Sequence, residues 1–239
     1  GEKMVAAMIL AGGSGTRVGA DRPKQFVEIY NNKPVLAYTV EIYQNNSEVD
    51  VIEIVCHSDW MDYVKEMVSK YGFSKVKYIV VGGETFQKSV INGVRNFDSK
   101  LSDNDIVMIH YGASPFTTQN IVADSIKVCR EYGMAASCTP CYQLMGTNDA
   151  ENKSINWVDR DKFVQIACPQ SFKYGYLKDI YKRAAAKKLL DSIEPHTTSL
   201  MYALGDVIYQ SYGNQTNIKI TTKEDLELFK AVVGNRSAN

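Results

Sequence analysis

The chain has 239 residues, of which 45% are apolar and 23% charged, enough hydrophobic material for a sizeable core and too mixed a pattern for a disordered chain. Its 27 Lys and Arg balance 27 Asp and Glu, which removes the global positive field of a general nucleic-acid or membrane-surface binder, so an anionic ligand must be held locally. At roughly 150 residues per domain, the length suits one α/β domain, 1–239, carrying an insertion. The first apolar run, Met4 to Leu10, is far shorter than the ~18 residues of a membrane span. It enters a Gly-rich loop rather than a cleavage site, so it reads as a buried strand, Val5 to Leu10, and not as a secretory signal. A helix is predicted over Val35 to Gln44, a strand over Val51 to Cys56, a helix over Trp60 to Tyr71 and a strand over Val76 to Val81. There follow a helix over Thr85 to Asn96, a strand over Ile106 to His110, a helix over Ile121 to Tyr132 and a strand over Met134 to Thr139. Near-continuous Val/Ile strands alternating with helices predict a mainly parallel sheet covered on both faces. From Pro140 to Ile166 the sequence turns polar and turn-rich, too long for an ordinary connection, and predicts an extended arm or hairpin. A helix over Tyr176 to Leu189, strands over Val207 to Tyr212 and Ile218 to Ile220, and a helix over Lys223 to Val233 close the chain.

Five cysteines at irregular spacing do not form a disulfide framework and point to a reducing cytoplasm. Cys138-x-x-Cys141 lacks a second pair or a nearby His and reads as two small residues beside a strand end. His57 reads as a partly exposed structural residue, and His196, in Pro195-His196-Thr197-Thr198-Ser199, as part of a helix start. Aromatic residues are scattered rather than interleaved with basic ones, so no nucleic-acid platform is expected.

The segment most informative for chemistry is Leu10-Ala11-Gly12-Gly13-Ser14-Gly15-Thr16-Arg17, directly after the first strand, followed by Pro23-Lys24-Gln25-Phe26. Glycines let backbone N–H groups approach a phosphate, and Arg17 and Lys24 can neutralise the rest of its charge. The loop is too long before its helix for a dinucleotide fingerprint and lacks the Gly-Lys-Ser/Thr of a Walker loop. Gly82 and Gly83 end the third strand, where a base can lie on exposed backbone.

These segments resemble the cytidylyltransferases that make CDP-methylerythritol or CDP-ribitol. The opening loop with Pro23-Lys24-Gln25-Phe26 is similar to that family's signature. Gly82-Gly83-Glu84-Thr85 with Ser89 resembles its base-binding segment, Pro169-Gln170-Ser171-Phe172 its Thr-Pro-Gln-x-Phe turn, and Asn217 to Thr222 with Glu224-Asp225-Leu226 its closing motif. The resemblance implies a Rossmann-like nucleotidyltransferase fold in which a polyol phosphate attacks the α-phosphorus of CTP and releases pyrophosphate. It implies Arg17, Lys24 and Lys219 as catalytic cations, and Ala11, Gly12, Gly13, Ser14, Gly15, Thr16, Gly82, Gly83, Glu84 and Ser89 around the nucleotide. It further implies a homodimer built by the Pro140 to Ile166 arm, whose Arg160 reaches the partner's substrate phosphate.

Where the family carries His-Asp-Ala-x-Arg-Pro after strand four, this chain has His110-Tyr111-Gly112-Ala113-Ser114-Pro115. Tyr111 replaces the Asp that binds Mg²⁺, Ser114 replaces the Arg that helps bind the substrate phosphate, and Cys168 replaces a Thr. No protein metal ligand is therefore expected, since a phenol near its reference pKa stays protonated and Mg²⁺ favours anionic oxygens. Mg²⁺ is expected to be carried by CTP, with Tyr111, Ser114, Cys168 and Arg160 facing the acceptor. Leu10-Ala11-Gly12-Gly13 and Gly82-Gly83-Glu84 lean toward ribitol 5-phosphate over 2-C-methyl-D-erythritol 4-phosphate as acceptor. A non-catalytic CTP-binding relative that has lost its metal ligand is the alternative.

Overall fold

The computed structural model describes residues 3–13 and 21–238. Strands β1 (Val5–Ala11), β2 (Val51–Cys56), β3 (Val76–Val81), β4 (Ile106–Tyr111), β5 (Met134–Pro140), β6 (Val164–Lys173) and β7 (Gln210–Tyr212) form one sheet in the order β3-β2-β1-β4-β6-β5-β7. Among these strands β6 alone runs antiparallel to its neighbours, so the sheet is mainly parallel as expected. The chain builds outward from β1 to β3 and then returns to place β4 on the other side of β1. At such a reversal the loops leaving the two strands part, and a crevice opens at their carboxyl ends.

Helices α1 (Val35–Gln44), α2 (Met61–Tyr71), α3 (Phe86–Asn96), α4 (Gln119–Tyr132), α5 (Tyr174–Ala186) and α6 (Thr197–Ala203) cover the sheet, and α7 (Lys223–Ala238) packs against α1 and the loop after β4. Alternate residues of β1 show why its sequence is apolar without interruption. Val5, Ala7 and Ile9 join the core under α1, α2 and α4, while Ala6, Met8 and Leu10 join the core under α3, α5 and α6. Each fully buried Ile or Leu there contributes about 1.5–3 kcal/mol relative to exposure. A smaller core joins Val35 of α1, Ala113 and Phe116 after β4, Ile220, and Leu226, Phe229 and Val233 of α7. Thr85 caps α3, its Oγ1 accepting from Lys88 N at 3.2 Å, which satisfies one of the free N–H groups of the first turn.

Four expectations are corrected. Val164 to Ile166 does not belong to the arm but opens β6, a strand that the sequence reading lacks. β6 carries Pro169 between β4 and β5 because the pairing with β5 shifts register between Ala136 and Cys138, and an irregularity of that kind tolerates a residue without an N–H. Ile218 to Ile220 is not a strand, and β7 keeps only the last three residues of Val207 to Tyr212. The helix expected at Tyr176 to Leu189 begins at Tyr174 and ends at Ala186. The arm, residues 141–163, is tied across itself by an isolated bridge between Gly146 and Trp157.

Candidate active site

A cleft of about 690 Å³ opens at the carboxyl ends of β1 and β4. Gly12 and Gly13 line it just after β1, Tyr111 at the end of β4 with Gly112 and Ala113 beyond it, Gly83 and Glu84 from the β3–α3 turn, Phe86 and Ser89 from α3, and Lys24, Lys219 and His57 from elsewhere. Ala11 lies beneath, its carbonyl accepting from Gln25 Nε2 at 3.0 Å while Gly13 O accepts from the same amide at 2.8 Å. Gln25 is thus the buried clasp of the glycine loop, although the sequence reading gives it no role. Ser14, Gly15, Thr16 and Arg17 lie outside the described residues.

The opposite wall is the Gly82-Gly83 turn. A Cβ on Gly83 would stand 2.3 Å from Lys88 Cβ, so a side chain cannot enter without moving the start of α3. Ser89 Oγ accepts from Gly83 N at 3.1 Å and lies beneath Gly82; in this arrangement its hydroxyl locks the turn. Gly112 N donates to Leu10 O at 2.7 Å, and a Cβ there would stand 3.0 Å from that carbonyl. That close approach keeps the floor of the cleft narrow.

A second cleft, of about 630 Å³, adjoins the first. It takes Ser114 from the loop after β4, Gln165, Cys168 and Gln170 from β6, Glu194, His196 and Thr198 from the start of α6, and Asn214 and Asn217 from the segment before α7. Tyr111 and Lys219 line both clefts and form the wall between them. Sequence reasoning leaves most of this cleft out, because its residues come from an unread strand and from turns. Arg160 is not among the residues lining either cleft; it sits on the arm, its Nη1 donating to Tyr142 O at 2.5 Å.

The backbone on both sides of Lys219 is pinned. Ile220 is buried and its N donates to Ala113 O at 2.8 Å. Asn217 accepts from Thr117 Oγ1 at 2.6 Å and donates to Cys168 O at 2.8 Å. Asp225 accepts from Thr221 N at 2.9 Å and Thr222 N at 3.0 Å. Burial pushes that carboxyl up, but these N–H groups, with the Thr222 side chain and the charge of Lys24, outweigh it and hold Asp225 below its ordinary value, as hydrogen bonds to a charged form do.

Tyr111 Oη stands 2.9 Å from His196 Nδ1. Burial pushes the phenol well above its ordinary pKa, so it stays protonated and donates. Burial, helped by Lys219, lowers His196 against the opposing pull of Glu194, which suits the neutral ring as acceptor. Phe86 packs edge-on to His196 with centroids 5.1 Å apart, and Lys219 Nζ stands 4.7 Å from the centre of the Tyr111 ring. At the position where the resemblance puts a metal-binding Asp there is therefore a protonated phenol already engaged. Among the described residues Glu84, exposed and 3.6 Å from Lys88 Nζ, is the one carboxylate lining the first cleft, and no group of three His, Cys, Asp or Glu among them could hold a metal. These residues do not fit a protein-ligated Mg²⁺. His110, beside Tyr111, is fully buried between Tyr43 Oη at 2.6 Å and Ser114 O at 2.8 Å and faces neither cleft.

Solved structures of similar fold include 4-diphosphocytidyl-2C-methyl-D-erythritol synthase from Anaerococcus prevotii, with a TM-score of 0.79, 23% identity, and coverage of 97% of this chain and 96% of that one. Among sequence relatives, ribitol-5-phosphate cytidylyltransferase of Lacticaseibacillus paracasei is 35% identical over 228 residues, covering 95% of this chain and 97% of the relative. The 2-C-methyl-D-erythritol 4-phosphate cytidylyltransferase of Clostridium novyi is 35% identical over 231 residues, covering 96% of each. The family model described as IspD, 2-C-methyl-D-erythritol 4-phosphate cytidylyltransferase, matches residues 5–235. With its glycine-lined cleft at the β1/β4 reversal and that match along almost its whole length, the chain belongs to the 2-C-methyl-D-erythritol 4-phosphate cytidylyltransferase family.

Proposed function

We propose that the protein transfers cytidylyl from CTP to a sugar-alcohol phosphate, of the ribitol 5-phosphate or 2-C-methyl-D-erythritol 4-phosphate type, giving a CDP-polyol and pyrophosphate. The observation that carries this reading is the pair of clefts meeting at Lys219: a transfer reaction needs two substrates brought to one point, and the shared wall provides it. CTP occupies the first cleft, its triphosphate over Gly12 and Gly13 and its base against Gly83. The acceptor's polyol lies among the amides and hydroxyls of the second cleft, and its phosphate oxygen attacks the α-phosphorus as the bond to pyrophosphate breaks. Negative charge gathers on the α-phosphate and the leaving group. Fixed donors and cations, with Lys24 and Lys219 as the described ones and Arg17 as a third, lower the barrier by stabilising that charge more than the ground state. Magnesium belongs to this reading only as the counter-ion that the triphosphate carries, because such ions are commonly held by substrate phosphates with few protein carboxylates.

The reading extends to a homodimer. Leu144 and Trp157 are 89% and 79% exposed on the arm, and large side chains of that kind gain from being covered by a second copy, which would also carry Arg160 toward the partner's acceptor cleft. No helix among the described residues is long and apolar enough to cross a membrane, and the five free, buried cysteines suit a reducing cytoplasm. Pyrophosphate release from CTP with a panel of polyol and sugar phosphates tests the function. Release with ribitol 5-phosphate or 2-C-methyl-D-erythritol 4-phosphate is expected, and CTP binding with no release on any acceptor would return the protein to a binding role.

A further inference from the structure

The residue between the two clefts is neither a metal ligand nor an inert filler. The contacts of Tyr111 include His196, whose Nδ1 its hydroxyl meets at 2.9 Å, Phe86, with ring centroids 5.7 Å apart, Lys219, whose Nζ lies over its face at 4.7 Å, and the Gln170 side chain. An ammonium within about 6 Å of a ring centre is attracted by the ring's quadrupole. The chemistry differs from that of a carboxylate at the same place. An Asp would hold Lys219 by an ion pair, whereas a ring holds the cation through its quadrupole and adds no net charge of its own. His196 holds the ring in turn, and Glu194 Oε1 stands 3.6 Å from the far nitrogen of that imidazole, which favours a hydrogen on Nε2 and leaves Nδ1 free to accept.

We infer that Tyr111 and His196 are positioning residues for Lys219: His196 fixes the Tyr111 ring by hydrogen bond, and the ring face helps fix the Lys219 ammonium at the point where the two clefts meet. The arrangement takes over at this position the anchoring that a carboxylate gives elsewhere, anchoring a lysine rather than a metal ion. The inference rests on the cytidylyl-transfer reading for its catalytic consequence and on the geometry alone for the anchoring. Because Lys219 borders both clefts, misplacing it affects the transfer step more than nucleotide binding.

Four variants test it: Tyr111→Leu, which removes the ring; Tyr111→Phe, which keeps the ring and removes the hydroxyl; His196→Ala; and the double variant Tyr111→Phe/His196→Ala. Two measurements are made on each. The first is the NMR shift of the Lys219 side-chain CH₂ protons next to the ammonium, assigned by comparison with Lys219→Arg. Ring current is expected to move them upfield in wild type and in Tyr111→Phe and to release them in Tyr111→Leu. The second is steady-state pyrophosphate release with the acceptor that supports turnover. Tyr111→Leu is expected to lower kcat about 30-fold with KM for CTP within about 3-fold. Tyr111→Phe and His196→Ala are each expected to lose about 5-fold, and the double variant no more than either single one, since both break the same link. Thermal melts separate loss of folding from loss of position, and Tyr111→Phe with His196→Ala carries the test should Tyr111→Leu not fold. A folded Tyr111→Leu with kcat within about 2-fold of wild type, or single-variant losses that multiply in the double variant, would overturn the inference. If wild type is inert with every acceptor, the transfer reading fails, and the ring-current shift still decides whether Tyr111 holds Lys219: an unshifted Lys219 in wild type ends the inference on its own.

Discussion

Glu53 stands in the middle of β2 with no exposure, Oε2 accepting from Asn96 Nδ2 at 2.9 Å and Oε1 without a hydrogen-bond partner. Burial pushes its carboxyl up to about 8, against the smaller pulls of Asn96 and Lys100. The folded chain therefore keeps this proton where the unfolded chain, with an ordinary carboxylate, has released it. Its contribution to stability is full below the ordinary carboxylate range and is lost as pH rises toward about 8, a loss of up to about 4 kcal/mol. Glu53→Gln, which matches the shape of the protonated acid, is expected to raise the melting temperature at pH ~8, leave it nearly unchanged at pH ~4.5, and flatten the curve between. Equal pH dependence in both proteins would show that Glu53 is ionised in the fold. At the reaction centre, Lys24→Ala and Lys219→Ala are each expected to slow transfer about 100-fold, on the order of 3 kcal/mol of transition-state stabilisation, with melting temperatures little changed. Near-wild-type kcat in both would place the charge stabilisation on other residues.

The β3–α3 turn and the arm show how much an element's meaning depends on what faces it. Gly83→Ala puts a methyl group where Lys88 Cβ already stands, 2.3 Å away, so α3 must move and with it Ser89 and the cleft wall. It is expected to weaken CTP binding by at least about 10-fold in calorimetry while the sheet, judged by circular dichroism, persists. On the arm, Leu144→Asp/Trp157→Asp is expected to give a monomer in sedimentation at micromolar concentration; a wild-type monomer would remove the dimer reading. β1 and β4 were legible in the sequence because both their faces are buried, which leaves a nearly continuous apolar run, and β2, β3 and β5 because their Val, Ile and Ala runs survive single polar residues such as Glu53, Lys77 and Ser137. β6 was not, for a physical reason: Gln165, Cys168 and Gln170 line the second cleft and Ser171 bonds Ser125 across 2.6 Å, so the strand is polar where it serves the site. His196 was readable as a helix start, and it is the residue before α6. Its bond to Tyr111 joins positions 85 apart in sequence, and no local pattern reports such a link. The Ile218 to Ile220 apolar alternation was real, but Ile220 serves the core under α7 rather than a ladder.

At the scale of the whole molecule, the retained Gly83 to Ser89 wall predicts that CTP binds in preference to UTP, ATP and GTP, and calorimetry giving equal affinity for all four would remove the cytidine assignment. The linings of the two clefts also divide the chain. Those of the first run from Leu10 to Ala113, with Lys219 added, and those of the second run from Tyr111 to Thr221. Tyr111 is the seam, at the end of the central strand β4. On the proposed reading, substitutions that change the acceptor fall mainly after Tyr111 and those that change the nucleotide mainly before it. A chimera joining residues 1–110 of this chain to the matching second half of a relative with a different acceptor should keep its nucleotide preference and take the relative's acceptor.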